Sequence, residues 1–192
     1  MARQIPPIDV QRWVNSPPLT PDALHGRVVL VDIWEYTCIN WIRTAPYVKA
    51  WHRDYTDLGL TVVGVHAPEF EFGRHAENID RAIRDHGLTY PIALDNNFTF
   101  WRALGNDAWP AKYLFDADGR FVDRWVGEGD YERVESEIRR LLGDQGAGHA
   151  AAAGQPRGVG VRHDGGAQLR RHHAGDLPRR RPGGAGLVQR GR

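Results

Sequence analysis

Along the first 142 residues the apolar positions alternate between strand-like and helix-like spacing. Val28-Val29-Leu30-Val31-Asp32-Ile33-Trp34 is a near-continuous β-branched run, the pattern of a central strand covered on both faces. From about Cys38 to Leu58 the spacing of Trp41, Ala45, Val48 and Tyr55 puts all four on one helical stripe. Leu60 to Val65 reads as a second buried strand. Ala76, Ile79 and Ile83 then mark a helix, Tyr90 to Leu94 a short strand, and Phe98 to Leu104 a short helix, with Asp95-Asn96-Asn97 as its cap. Ala111 to Phe115 and Arg120 to Val126 flank the turn sequence Asp116-Ala117-Asp118-Gly119, which predicts an antiparallel hairpin. Tyr131, Val134, Ile138 and Leu141 carry the stripe of a closing helix. This order predicts an α/β fold, a central mixed sheet with helices on both faces.

Three regions follow from the same pattern. Residues 1–17, with Gln11 to Asn15 and the turn-rich Ser16-Pro17-Pro18 that follows, read as an N-terminal extension, and residues 18–142 as the folded domain. Residues 143–192 hold 13 of the 22 glycines, no Trp, Tyr, Phe or Ile, and only six Val and Leu together. Such a stretch cannot bury enough apolar surface to offset its ordering entropy, so a disordered tail is expected. The composition is also that of a shifted reading frame in a GC-rich gene.

Charge sharpens the division. The last 50 residues carry nine Arg and three Asp, a net +6, whereas the preceding 142 carry 16 basic and 21 acidic groups, a net −5. Arg170-Arg171 and Arg179-Arg180-Arg181 lie in a stretch without an aromatic residue to stack on bases, which argues against specific nucleic-acid binding. No apolar run reaches the roughly 18 residues of a membrane helix. The start, Met-Ala-Arg-Gln-Ile-Pro-Pro, lacks the apolar stretch of a secretory signal, so a cytoplasmic location is expected.

Cys38 is the single cysteine of the chain. It can close no intramolecular disulfide, and nothing around it calls for a metal or cofactor. It opens a helix directly after a buried strand, where backbone N–H groups and the helix dipole stabilise a thiolate and make the sulfur nucleophilic. A buried, inert cysteine packed on the sheet is the alternative. Pro46, eight residues on, falls inside the predicted helix, and Pro110 precedes the hairpin.

With these features the sequence resembles the thioredoxin superfamily, and more narrowly its TlpA-like and DipZ-like redoxins. The resemblance rests on Leu24 to Trp34, on Tyr36-Thr37-Cys38-Ile39-Asn40-Trp41-Ile42-Arg43-Thr44-Ala45-Pro46-Tyr47, and on Gly64-Val65-His66-Ala67-Pro68-Glu69-Phe70. It implies a thioredoxin-like fold, thiol-disulfide exchange at Cys38, and a cis Trp109–Pro110 bond facing the sulfur, an ordinary trans proline being the alternative. It also implies that Trp34, Trp41, Trp109 and Pro110 border the substrate groove. Glu35, Asn40, His66 and Glu69 surround the site on this reading. Packing for Trp41, and loop hydrogen bonds or exposure for His66 and Glu69, are the competing roles.

The pattern departs from the family in one respect. Trp41 stands where the second cysteine of Cys-X-X-Cys belongs, and an indole cannot resolve a mixed disulfide. The Pro and Thr of the peroxide-activating peroxiredoxin motif are replaced by Val31 and Glu35. Three outcomes follow for Cys38: a one-cysteine cycle on protein thiols, disulfides or peroxides with a low-molecular-weight thiol as reductant, a lasting mixed disulfide with a partner, or a fold kept as a non-catalytic binding module.

Overall fold

The computed structural model describes residues 4–143, and the expected tail lies outside them. In chain order the elements are β1 (Arg12–Val14), α1 (Pro21–Leu24), β2 (Val28–Trp34), α2 (Ile39–Tyr55), β3 (Leu60–His66), α3 (Ala76–Asp85), β4 (Ile92–Leu94), α4 (Thr99–Leu104), β5 (Ala111–Phe115), β6 (Phe121–Val126) and α5 (Tyr131–Leu141). The six strands form one mixed sheet in the order β1-β4-β3-β2-β5-β6. The pairs β2·β3 and β3·β4 are parallel, while β1·β4, β2·β5 and β5·β6 are antiparallel.

Strand periodicity sorts the two cores. In β2, Val28, Leu30 and Trp34 pack under α2, α3 and α5, whereas Val29, Val31 and Ile33 pack against α1 and α4 on the other face. All seven residues of β2 are buried, as a strand covered on both sides requires. Each such Val, Leu or Ile contributes about 1.5–3 kcal/mol of burial free energy. α5 is tied to α2 by polar contacts as well: Tyr55 and Trp51 both donate to the Glu135 carboxylate, at 2.6 and 3.3 Å.

Two features differ from the sequence reading. Arg12–Val14, expected in an extension, forms the edge strand β1, since Trp13 packs into the second core and Asn15 Nδ2 donates to the carbonyls of Leu88 and Tyr90. The segment after β3 also contains a short 3-10 helix, Glu71–Arg74, which no apolar periodicity announced. Elsewhere the boundaries are close to expectation, and Asp95 caps α4 by accepting from the N–H groups of Thr99 and Trp101 at 2.7 and 2.8 Å. Among the described residues no helix is long and apolar enough to cross a membrane.

Candidate active site

β2 ends at Trp34, and the chain turns through Glu35, Tyr36 and Thr37 to place Cys38 at the N-cap of α2. Cys38 is half-buried, and its side chain makes no capping hydrogen bond. Its N–H donates to the Glu35 carbonyl at 3.2 Å, and its own carbonyl accepts from Ile42 at 3.0 Å. Glu35 is buried and folds back over the turn, where one carboxylate oxygen accepts from both the N–H and the hydroxyl of Thr37. Its other oxygen has no hydrogen-bond partner. Pro46 lies inside α2, leaving the Ile42 carbonyl without its usual helical donor.

Beneath Cys38 lies a fully buried aromatic floor. Trp34 and Trp41 are stacked with ring centroids 4.6 Å apart, and neither meets solvent. This corrects the expectation that Trp34 and Trp41 border the substrate groove; for Trp41 the competing role, packing, is the one observed, since the α2 stripe that carries Ala45 and Val48 turns it inward. The Trp41 indole N–H donates to Asp32 at 3.0 Å. Burial pushes the Asp32 carboxyl up to about 6, against the opposing effects of the Trp41 hydrogen bond and the Lys112 charge. Lys112 pairs with Asp32 across β2 and β5 and is itself buried, donating to the Gly127 carbonyl at 2.8 Å. Burial pulls its ammonium down, opposed by the charges of Asp32 and Asp130.

His66, the last residue of β3, is buried rather than free in a loop. Its ring lies 5.8 Å from that of Tyr36 and 4.9 Å from that of Trp34, and neither ring nitrogen has a hydrogen-bond partner. Burial lowers its pKa to about 3, so the imidazole is neutral at physiological pH. Glu69 is exposed in the loop that follows. Asn40 contributes its backbone carbonyl to the Thr44 hydroxyl at 2.9 Å.

The register of β5 brings the Trp109–Pro110 loop to the same end of the sheet, because Ala111 pairs with Ile33. The Trp109–Pro110 peptide is cis. Trp109 is partly exposed, stacks toward Trp101 at 4.3 Å, and donates its indole N–H to the Ala67 carbonyl at 2.9 Å, joining this loop to the one after β3. Pro110 is buried and its carbonyl accepts from Gly127 at 2.8 Å. Asp32 and Lys112 are the polar members of the site that periodicity did not single out, although a charge inside each of two apolar runs was the visible signal. Among the described residues no three His, Cys, Asp or Glu side chains are grouped to hold a metal ion.

A mixed sheet with helices on both faces and a cysteine at the N-cap of the helix after the central strand define a thioredoxin-like protein. A crystal structure of a thioredoxin-like superfamily protein superposes with a TM-score of 0.70 at 20% identity, covering 74% of this chain and 97% of that one. The chain belongs to the redoxin family, whose model matches residues 14–142. It is 44% identical over 135 residues to protein DipZ of Mycobacterium tuberculosis, an alignment covering 69% of this chain and 19% of DipZ, so the chain spans about a fifth of that relative's length. It is 26% identical over 132 residues to the thiol-disulfide oxidoreductase YkuV of Bacillus subtilis, covering 69% of this chain and 88% of YkuV.

Proposed function

We propose that the domain is a thiol-disulfide oxidoreductase that works through the single thiol of Cys38. The observation that carries this reading is the half-buried sulfur at the N-cap of a 17-residue helix, its side chain uncommitted, in a redoxin domain similar to YkuV. The Cys38 thiolate attacks one sulfur of a substrate disulfide. That S–S bond breaks, a mixed disulfide forms at Cys38, and the departing thiolate takes a proton from water. A low-molecular-weight thiolate then attacks the mixed disulfide and displaces the substrate as its second thiol. A second equivalent attacks the new mixed disulfide, restoring Cys38 and leaving the small thiol oxidised as its own disulfide. A cytoplasmic, reducing compartment supplies such a thiol.

Peroxide reduction takes second place, because Glu35, where a peroxidase has a hydroxyl donor, is committed to accepting from Thr37. A second reading, a binding module without turnover, is favoured by Trp41, which fills the resolving position with buried indole. Incubation of the reduced protein with a glutathionylated peptide and excess glutathione separates them. The oxidoreductase reading expects release of free peptide above the uncatalysed glutathione rate, in proportion to protein, and no such excess from Cys38→Ser. Intact mass showing Cys38 unmodified by glutathione disulfide would overturn it.

A further inference from the structure

Four large hydrophobic side chains are exposed among the described residues: Ile39 (56%), Phe70 (48%), Phe72 (46%) and Val126 (50%). Scattered singly, such residues call for no explanation. Here the topology gathers all four at one end of the sheet. Ile39 follows Cys38 after the C-terminal end of β2, and Phe70 and Phe72 follow the same end of the parallel strand β3. Val126 pairs with Ala111, which pairs with Ile33 near the end of β2.

Phe70 and Phe72 stack with centroids 5.4 Å apart and planes at 12°, and the Tyr36 ring lies 6.3 Å from Phe72, so a row of three rings begins two residues from the thiol. The row is held in place. The Phe72 carbonyl accepts from the Tyr36 hydroxyl at 3.3 Å and from Asn78 Nδ2 at 3.1 Å, and Arg74 fastens the same segment by donating to the Asn96 carbonyl. A fixed aromatic surface loses little conformational entropy when it is covered.

Charge selects what covers it. The stretches that carry these side chains, residues 36–43, 67–75 and 126–130, contain four carboxylates and only two Arg. Arg43 pairs with Glu128 and Arg74 with Glu71. Glu69 is exposed, and the charge of Asp130 acts on the buried Lys112. An anionic lipid surface is disfavoured by this balance, and a cationic polypeptide is favoured.

We infer that this end of the sheet is the docking surface for a segment of a partner protein whose cysteine is flanked by apolar or aromatic side chains and, beyond them, by Lys or Arg. This names a substrate class and rests on Cys38 being the reacting group. The flanking apolar residues lie on the Tyr36–Phe72–Phe70 row and on Ile39, and the cationic residues meet Glu69 and its neighbours.

Binding is read first without chemistry, by fluorescence polarisation of the full chain with labelled peptides in which S-methylcysteine replaces cysteine. The Phe-flanked peptide with outer Arg residues is expected to bind about tenfold more tightly than the same peptide with outer Glu, or with Gly in place of Phe. Phe70→Ser with Phe72→Ser should erase the preference for Phe, and Glu69→Lys with Glu71→Lys the preference for Arg. Equal affinities for the three peptides, preferences that survive these substitutions, or tighter binding to anionic vesicles than to any peptide would overturn the docking surface. Self-association lost in the Phe70→Ser, Phe72→Ser protein would reassign it to a second copy of this chain. Thiol exchange is then measured with 2-hydroxyethyl disulfide and with the peptides as disulfides. A protein inert to the small disulfide that still binds the S-methyl peptides loses the chemistry and keeps the surface. One that reacts with every disulfide at the same rate keeps the chemistry and loses the surface.

Discussion

Trp41 donates its indole N–H to the carboxylate of Asp32, so the residue in the resolving position of the redox motif is bonded to an acid buried within the central strand. Indole and carboxylate are both withdrawn from water, and each compensates part of the other's desolvation. The contact explains how an apolar strand tolerates Asp32 and why Trp41 points down into the fold instead of out beside Cys38.

Trp41→Cys recreates Cys-X-X-Cys from Cys38 onward. The variant should reduce insulin disulfides in the presence of dithiothreitol much faster than the parent, followed by turbidity. It should also lose on the order of 3 kcal/mol of stability, from the cavity left by the indole. A folded variant no faster than the parent would show that the surroundings of Cys38 no longer support dithiol exchange.

Asp32 makes stability fall as pH rises. Its carboxyl titrates near 6 in the folded protein and near 3.8 in the open chain. The folded state therefore binds the extra proton between those values, and stability present below about 3.8 is lost as pH passes through about 6. Asp32→Asn keeps an acceptor for Trp41 and removes the ionisation. At pH 7 it is expected to be more stable than the parent by on the order of 1–3 kcal/mol, read from urea midpoints.

His66 acts in the opposite sense. Its pKa falls from 6.5 to about 3 on folding, so the open chain binds the extra proton in that window. Stability present above 6.5 is lost as pH drops toward 3. His66→Phe forfeits no hydrogen bond, since neither ring nitrogen makes one, and keeps a ring between Trp34 and Tyr36. From pH 7 down to pH 5 the parent gains stability from Asp32 and loses it from His66, so the urea midpoint of the variant relative to the parent should be higher at pH 5 than at pH 7.

Gly64 is required by its neighbours. A Cβ there would lie 2.7 Å from Ile92 Cδ1 and 2.8 Å from Tyr90 Cε2, with Trp34 Nε1 at 3.2 Å. Gly64→Ala should cost roughly 1–3 kcal/mol by overpacking, visible as a lowered thermal midpoint. An unchanged midpoint would mean that the Tyr90 ring can move aside.

Much of this architecture could be read from residue spacing, because β2 and β3 carry near-continuous apolar runs and α5 a period-3.6 stripe. The cis Trp109–Pro110 bond was an expectation of the resemblance and not of spacing, whereas Cys38, which sits where a long helical pattern starts, was legible for a related reason. β1 was not, since three residues are too few to show alternation and their pairing with Leu94, Ala93 and Ile92 joins distant segments. Trp34 in its apolar run and Trp41 on the α2 stripe carried a packing signal, whereas the burial of His66 and the ring stack of Phe70 on Phe72 were silent. They depend on which side chains meet across elements, and no local periodicity encodes that.

The indole buried at the position of a second thiol also decides how Cys38 would register a thiol pool. An internal disulfide forms with release of two small thiols, so its population varies with the square of their concentration. A mixed disulfide at Cys38 exchanges one for one, and its population follows the plain ratio of small disulfide to small thiol. Diluting or concentrating the pool at a constant ratio leaves Cys38 unchanged, whereas a dithiol relative under the same treatment would shift.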